Sequence, residues 1–74
     1  MMKRTKFEIR TDILKVAKYG ANKTRLVYGS YTNFVIINNY IKHLIESGLL
    51  TKNGKIYRTT DKGLKYIRKV KSIL

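Results

Sequence analysis

Apolar residues recur along this chain with two different periods. Ile9, Ile13, Val16 and Ala17 stand at i, i+4, i+7 and i+8, the spacing that lines one side of an α-helix. Thr5 followed three residues later by Glu8 is a capping-box pattern, so this first helix is predicted to begin near Thr5. Gly20 ends it as a C′ residue. Phe34, Ile37, Ile41, Leu44 and Ile45 form a second stripe, predicted as the core face of a helix capped by Thr32 or Asn33 and closed before Gly48. Asn38, Asn39, Lys42 and Glu46 fall off that stripe. Between the two, Asn22 is placed to cap a short helix over residues 23–28, to which Leu26 and Val27 contribute the apolar side, and Gly29-Ser30 is a break. Leu64, Ile67, Val70 and Leu74 predict a last helix over residues 61–74, capped at Thr60-Asp61.

Between Gly48 and Thr60 the reading changes to strand. Residues 49–52 and 55–59 are predicted as two strands, and Asn53-Gly54 as the centre of a type I′ turn, in which both residues need φ > 0. That register sets Lys52 opposite Lys55, where like charges destabilise the pair and a polyanion would relieve them. It also sets Leu50 opposite Tyr57 towards the core, with Thr51 and Ile56 on the other face. The order is therefore helix, helix, helix, hairpin, helix. It predicts an α+β, mostly α fold, a winged helix-turn-helix in which the first three helices make the helix-turn-helix and the hairpin is the wing. No repeat, linker or low-complexity segment divides residues 1–74, so they read as one domain. Lys3, Arg4 and Lys6 suggest a flexible basic arm, with residues 1–4 at its centre; an ordinary disordered basic tail is the plainer alternative.

Charge turns this architecture towards a partner. Seventeen Lys and Arg stand against four Asp and Glu, a net charge of +13. Such an excess destabilises a compact monomer by self-repulsion and draws it to polyanions, nucleic acid first and an anionic membrane surface second. Cys is absent, which removes disulfides, thiolate metal sites and Cys nucleophiles together and fits a reducing cytoplasm. No apolar run approaches the roughly 20 residues that span a bilayer, and no apolar segment follows the basic N-terminus as a secretory signal would require. A chain this short buries only about 60% of its unfolded surface, so dimerisation would help it. The charges are unevenly spread. Eight of the seventeen basic residues lie in residues 3–25 and nine in residues 42–71, while residues 26–41 carry none.

That gap assigns the chemistry. In a helix-turn-helix the second helix of the pair enters the major groove, with its N-terminal residues near base edges. The groove-facing candidates are Tyr31, Thr32, Asn33, Val35, Asn38, Asn39 and Lys42. Asn can bond bidentately to adenine, and Thr or an apolar group can meet the thymine methyl, so such a helix suits sites containing A·T pairs. The blander alternatives are that Asn33 is only a cap and that Asn38 and Asn39 merely solvate an exposed face. Phosphate contacts are assigned to Lys23 and Arg25 at the start of the second helix, near its positive dipole end, and to Lys52, Asn53, Lys55 and Arg58 on the wing. Lys65, Arg68, Lys69 and Lys71 on the last helix read as solvated and facing away from DNA. Six tyrosines, Tyr19, Tyr28, Tyr31, Tyr40, Tyr57 and Tyr66, invite a stacking platform. Tyr40 and Tyr57 look like core instead, and Tyr31 alone is assigned to nucleic acid. Nothing suggests an enzyme, a metal or a cofactor: His43 stands without a second His or any Cys, and no glycine-rich phosphate loop or nucleophile motif occurs.

The wording of the chain also carries a likeness. The runs RTKFEI (4–9), DILK (12–15), GA (20–21), KTRLVY (23–28), NF (33–34), Tyr40, ESGLL (46–50) and IYRTTDKG (56–63) resemble the small archaeal winged-helix DNA-binding proteins of Sulfolobus-type organisms, without a gap over nearly the whole chain. The resemblance implies a winged helix, double-stranded DNA as ligand, and a homodimer formed through the C-terminal helix as an antiparallel coiled coil. In that family the last helix continues beyond the wing domain. Here about 13 residues, roughly 20 Å of helix, leave Ile67, Val70 and Leu74 as candidates for a short seam. Family members also tend to be charged where this chain has Val35-Ile36-Ile37-Asn38-Asn39.

Three functions follow as expectations. The first is a sequence-preferring transcriptional regulator, a dimer on an inverted repeat in the cytoplasm. The second is an architectural, weakly sequence-specific protein of the chromatin or nucleoid. The third, least favoured, is a membrane-surface or protein-interaction module using the basic helix 61–74. RNA is disfavoured as ligand because its major groove is too deep and narrow for a helix.

Overall fold

The structure, a computed structural model, describes residues 5–73, with side chains described through Lys69. Four helices and one hairpin follow in the expected order: α1 (Lys6–Val16), α2 (Lys23–Gly29), α3 (Phe34–Glu46), β1 (Leu50–Asn53), β2 (Ile56–Thr59) and α4 (Asp61–Ile73). The local signals that start the helices act as read. The Thr5 hydroxyl accepts the Glu8 N–H at 3.1 Å and donates to the Glu8 carboxylate at 3.3 Å. Asn22 accepts the Arg25 N–H at 2.9 Å, and Thr60 accepts the Gly63 N–H at 3.0 Å. Of the two candidates for α3, Asn33 is the cap: its side-chain oxygen takes both the Val35 and Ile36 N–H groups. Lys6 is the first residue of α1 and not part of an arm; residues 1–4 lie outside the described segment.

The apolar sides of α1, α2, α3 and the hairpin meet in one core of Ile13, Leu14, Ala17, Ala21, Leu26, Val27, Ile37, Ile41, Leu44, Leu49, Leu50 and Tyr57, with Ile9, Val16, Tyr40 and, from the last helix, Tyr66 and Ile67 packed at its edge. Two members of the α3 stripe do not join. Phe34 is 48% and Ile45 38% exposed. At 100° per residue they fall to one side of the line Ile37, Ile41, Leu44, where α2 and the hairpin no longer cover them.

Two connections were not expected. A single 3₁₀ turn (Ala17–Tyr19) follows α1, and Gly20 leaves it at φ +94. Ala21 then pairs with Tyr57 by a reciprocal backbone bridge, Ala21 N–H to the Tyr57 carbonyl at 2.9 Å and Tyr57 N–H to the Ala21 carbonyl at 2.7 Å. This pins the α1–α2 connection to the free edge of β2. The buried Thr59 hydroxyl donates to the Leu14 carbonyl at 2.6 Å and ties the same strand to α1.

The hairpin departs from its expected register. Leu50 pairs with Thr59, Thr51 with Arg58, Lys52 with Tyr57 and Asn53 with Ile56. The turn is centred on Gly54-Lys55, not on Asn53-Gly54. Gly54 alone takes a positive φ, +63, the glycine-first pattern of a type II′ turn. Lys52 and Lys55 are therefore not opposed, and the expected repulsion between them is absent. Moving the turn by one residue shifts the register by two, so every side chain keeps its face. This register also lets the Thr60 N–H reach the Leu49 carbonyl at 3.0 Å, extending the ladder to the start of α4.

Candidate nucleic-acid interface

The Ala21–Tyr57 bridge brings the start of α2 against the inner face of the hairpin. Asn22, Lys23 and Thr24 from the first and Lys52, Lys55 and Tyr57 from the second line one shallow cleft. No acid lines it. The Lys52 ammonium lies 5.7 Å from the centroid of the Tyr57 ring, whose burial fixes the strand beneath it. Three cationic side chains and two polar ones, Asn22 and Thr24, thus line one open space, a setting whose charge suits a phosphate or another oxyanion. Lys23 and the wing lysines were foreseen separately, and the tertiary structure joins them. Thr24 was missed, because nothing in its local sequence marks it.

Arg58 and Asn53 do not join this cleft. They share the outer face of the hairpin with Thr51 and Ile56. The Arg58 guanidinium lies over Gly20, where a Cβ would stand 3.3 Å from its nitrogen and 3.2 Å from the Ile56 methyl. Arg25 is exposed on α2, one turn on from Asn22.

On α3 the side chains opposite the buried line Ile37, Ile41, Leu44 are Val35, Asn39, Lys42 and, at the C-terminal end, Glu46, with Asn38 at their flank, all exposed. Val35 is 77% exposed, although apolar. Asn33 has its side-chain oxygen committed to two backbone N–H groups, so only its amide nitrogen is left to donate outward, and bidentate pairing with adenine is closed to it. Thr32 is half-buried. Its hydroxyl lies 3.0 Å from that of Ser30, which itself donates to the Leu26 carbonyl; Thr32 is therefore the donor of the pair. Tyr31 stands fully outward between α2 and α3, while Tyr57 is core and Tyr40 is packed at the core edge, as read from the sequence.

Along the other flank of α3, Lys6 and Arg10 of α1 line a depression with Asn39, Tyr40 and His43. Their i, i+4 spacing on α1 put Lys6 and Arg10 on one side, but only the packing of α1 on α3 aims them there. His43 is exposed, and among the described residues no group of three His, Cys, Asp or Glu could hold a metal ion. Among the same residues no helix is long and apolar enough to cross a membrane. Of the dimer candidates, Ile67 packs on its own core, and the side chains of Val70 and Leu74 lie outside the described residues.

Three helices followed by an antiparallel hairpin and a closing helix, with the third helix exposed along one polar face, define a winged helix-turn-helix domain. The chain belongs to the winged helix-turn-helix family, whose model matches residues 3–74. Its structure is similar to the crystal structure of Sso10a-2, a DNA-binding protein from Sulfolobus solfataricus, with a TM-score of 0.86 and 28% identity, over 95% of this chain and 78% of that one. It is also similar to the uncharacterized protein MJ0287 of Methanocaldococcus jannaschii, 34% identical over 64 residues; the match covers 85% of this chain and 66% of that protein.

Proposed function

We propose that this domain binds double-stranded DNA, laying the outer face of α3 in the major groove and the basic cleft on the phosphate backbone. One observation carries the reading: Lys23, Lys52 and Lys55 converge from two elements on a cleft lined by no acid, while α3 exposes a neutral face of Val35, Asn38 and Asn39. Cations at the positioning helix and wing suit phosphates, which fix register, and neutral amide and apolar groups suit base edges. The similarity to a Sulfolobus DNA-binding protein supports the same ligand.

The neutral N-terminal half of the recognition face, Val35, Asn38 and Asn39, favours a regulator with a sequence preference. The net charge of +13 favours the second reading, an architectural protein that covers DNA of many sequences. A footprint under competition separates them. A regulator protects one short site in a large excess of random duplex, whereas loss of every protected site under that excess selects the architectural reading. Failure to bind any duplex at low salt removes both. A homodimer on an inverted repeat belongs to the first reading. Its seam would draw on Ile67, partly buried at the core edge, together with Val70 and Leu74, and sedimentation equilibrium with and without duplex tests it.

A further inference from the structure

Two helices of this chain end in the same backbone motif. At the end of α3, Gly48 takes φ +75, its N–H bonds the Ile45 carbonyl at 3.0 Å, and the Leu49 N–H bonds the Leu44 carbonyl at 2.9 Å. At the end of α2, Tyr31 takes φ +56, its N–H bonds the Tyr28 carbonyl at 3.4 Å, and the Thr32 N–H bonds the Val27 carbonyl at 3.0 Å. Both are Schellman motifs, whose C′ residue sits in the left-handed region. Glycine enters that region freely, while the Cβ of any other L-residue crowds its own carbonyl, and a bulky side chain there is an outlier. The fold makes one demand twice and meets it once with glycine and once with an aromatic. Tyr31 is also 84% exposed, the most exposed large hydrophobic among the described residues. Strain of this kind gathers where a ligand uses it.

We propose that Tyr31 is a specificity-determining residue, held in a strained turn so that its ring contacts thymine methyl groups in the major groove. The inference rests on the DNA-binding reading above. Tyr31 lies two residues before Asn33, the cap of α3, at the end of a recognition helix that lies nearest base edges. An apolar surface there meets the thymine methyl, and the exposed Val35 continues it. Asn38 and Asn39 suit the adenine of the same pairs. DNA is the occupant because the rest of the molecule complements it in charge, with +13 overall and a lysine-lined cleft.

The test compares wild type, Tyr31→Phe and Tyr31→Gly on an A·T-rich duplex and on the same duplex with deoxyuridine replacing thymine, alongside thermal melts of each protein. Tyr31→Gly relieves the left-handed strain and is expected to melt several degrees higher. It is expected to bind thymine-containing DNA about 10-fold more weakly. Its salt slope should match wild type, because no phosphate charge has been given up. Tyr31→Phe should bind like wild type. Deoxyuridine should weaken wild type and Tyr31→Phe by about 3-fold and weaken Tyr31→Gly distinctly less, the remaining effect falling to Val35. A folded Tyr31→Gly with wild-type affinity, or one as sensitive to deoxyuridine as wild type, overturns the proposal. A Tyr31→Phe as weak as Tyr31→Gly assigns the contact to the hydroxyl and overturns it too. Wild-type protein that binds neither duplex overturns the DNA-binding reading itself, which is a distinguishable failure.

Discussion

Gly63 looks like a weakness in the first turn of α4, since alanine there would raise intrinsic helix propensity by about 1 kcal/mol. The structure reverses that sign. A Cβ at Gly63 would collide with the Leu49 carbonyl oxygen and stand 2.5 Å from the Thr59 methyl. Gly63→Ala is expected to destabilise the domain by about 2 kcal/mol through overpacking. Urea titration should show a lower midpoint with an unchanged m-value, and a midpoint at or above wild type would remove the close contact from the account. Asn39, on the outer face of α3, is expected to behave differently. Asn39→Ala should leave stability within experimental error and cost about 1–3 kcal/mol of binding at one base position. Binding measured across single-base variants of a protected site checks this, and an equal loss on every variant would show that Asn39 reads no base. The helix caps Thr5, Asn22 and Asn33 were legible in the sequence, because a cap depends on three or four adjacent residues. Gly63 was not, because its partner Leu49 is brought to it only by the hairpin.

At the scale of elements the wing is the informative case. The existence of its two strands and the face of each side chain follow from alternation alone and match the expectation, although the strands run Leu50–Asn53 and Ile56–Thr59 where 49–52 and 55–59 were expected. Its register does not match, because Asn53-Gly54 and Gly54-Lys55 are both acceptable two-residue turns. The choice falls to Gly54-Lys55, which needs one positive φ and extends the ladder to Thr60 and α4. Lys55 consequently sits in the turn itself, exposed, and shares a cleft with Lys23 and Lys52. Lys55→Ala is expected to weaken binding to all duplexes alike and to lower the salt slope by about one. A slope and affinity equal to wild type would take the wing off the phosphate backbone. On α3, the stripe from Phe34 to Ile45 was read as wholly buried, yet its two ends are partly exposed. Periodicity marks the direction of a helix face but not how far its neighbours extend along it.

For the whole molecule the dominant quantity is the charge of +13. Self-repulsion opposes the compact state, and salt screens it over about 10 Å at 0.1 M ionic strength. Thermal melts of the free protein should therefore rise as NaCl is raised through the physiological range. Affinity for duplex should fall over the same range, since bound phosphates release counterions. The opposite signs are the signature; a melting temperature that falls or stays flat with salt would mean that the basic residues do not destabilise the fold. Duplex added at low salt should raise the melting temperature by mass action, as any ligand selective for the folded state does.

Element order, helix caps, the wing and the basic character of the surface were settled by the chain alone, because each depends on residues within one or two turns of each other or on a simple sum of charges. Tertiary structure decided what depends on distant segments meeting. It bridged Ala21 to Tyr57, gathered Lys23, Lys52 and Lys55 into one cleft, and turned Arg58 to the opposite face over Gly20. It also put Tyr31 in a left-handed turn that its local sequence argues against. A candidate site is a relation between elements, and spacing along one chain does not contain the packing that creates that relation.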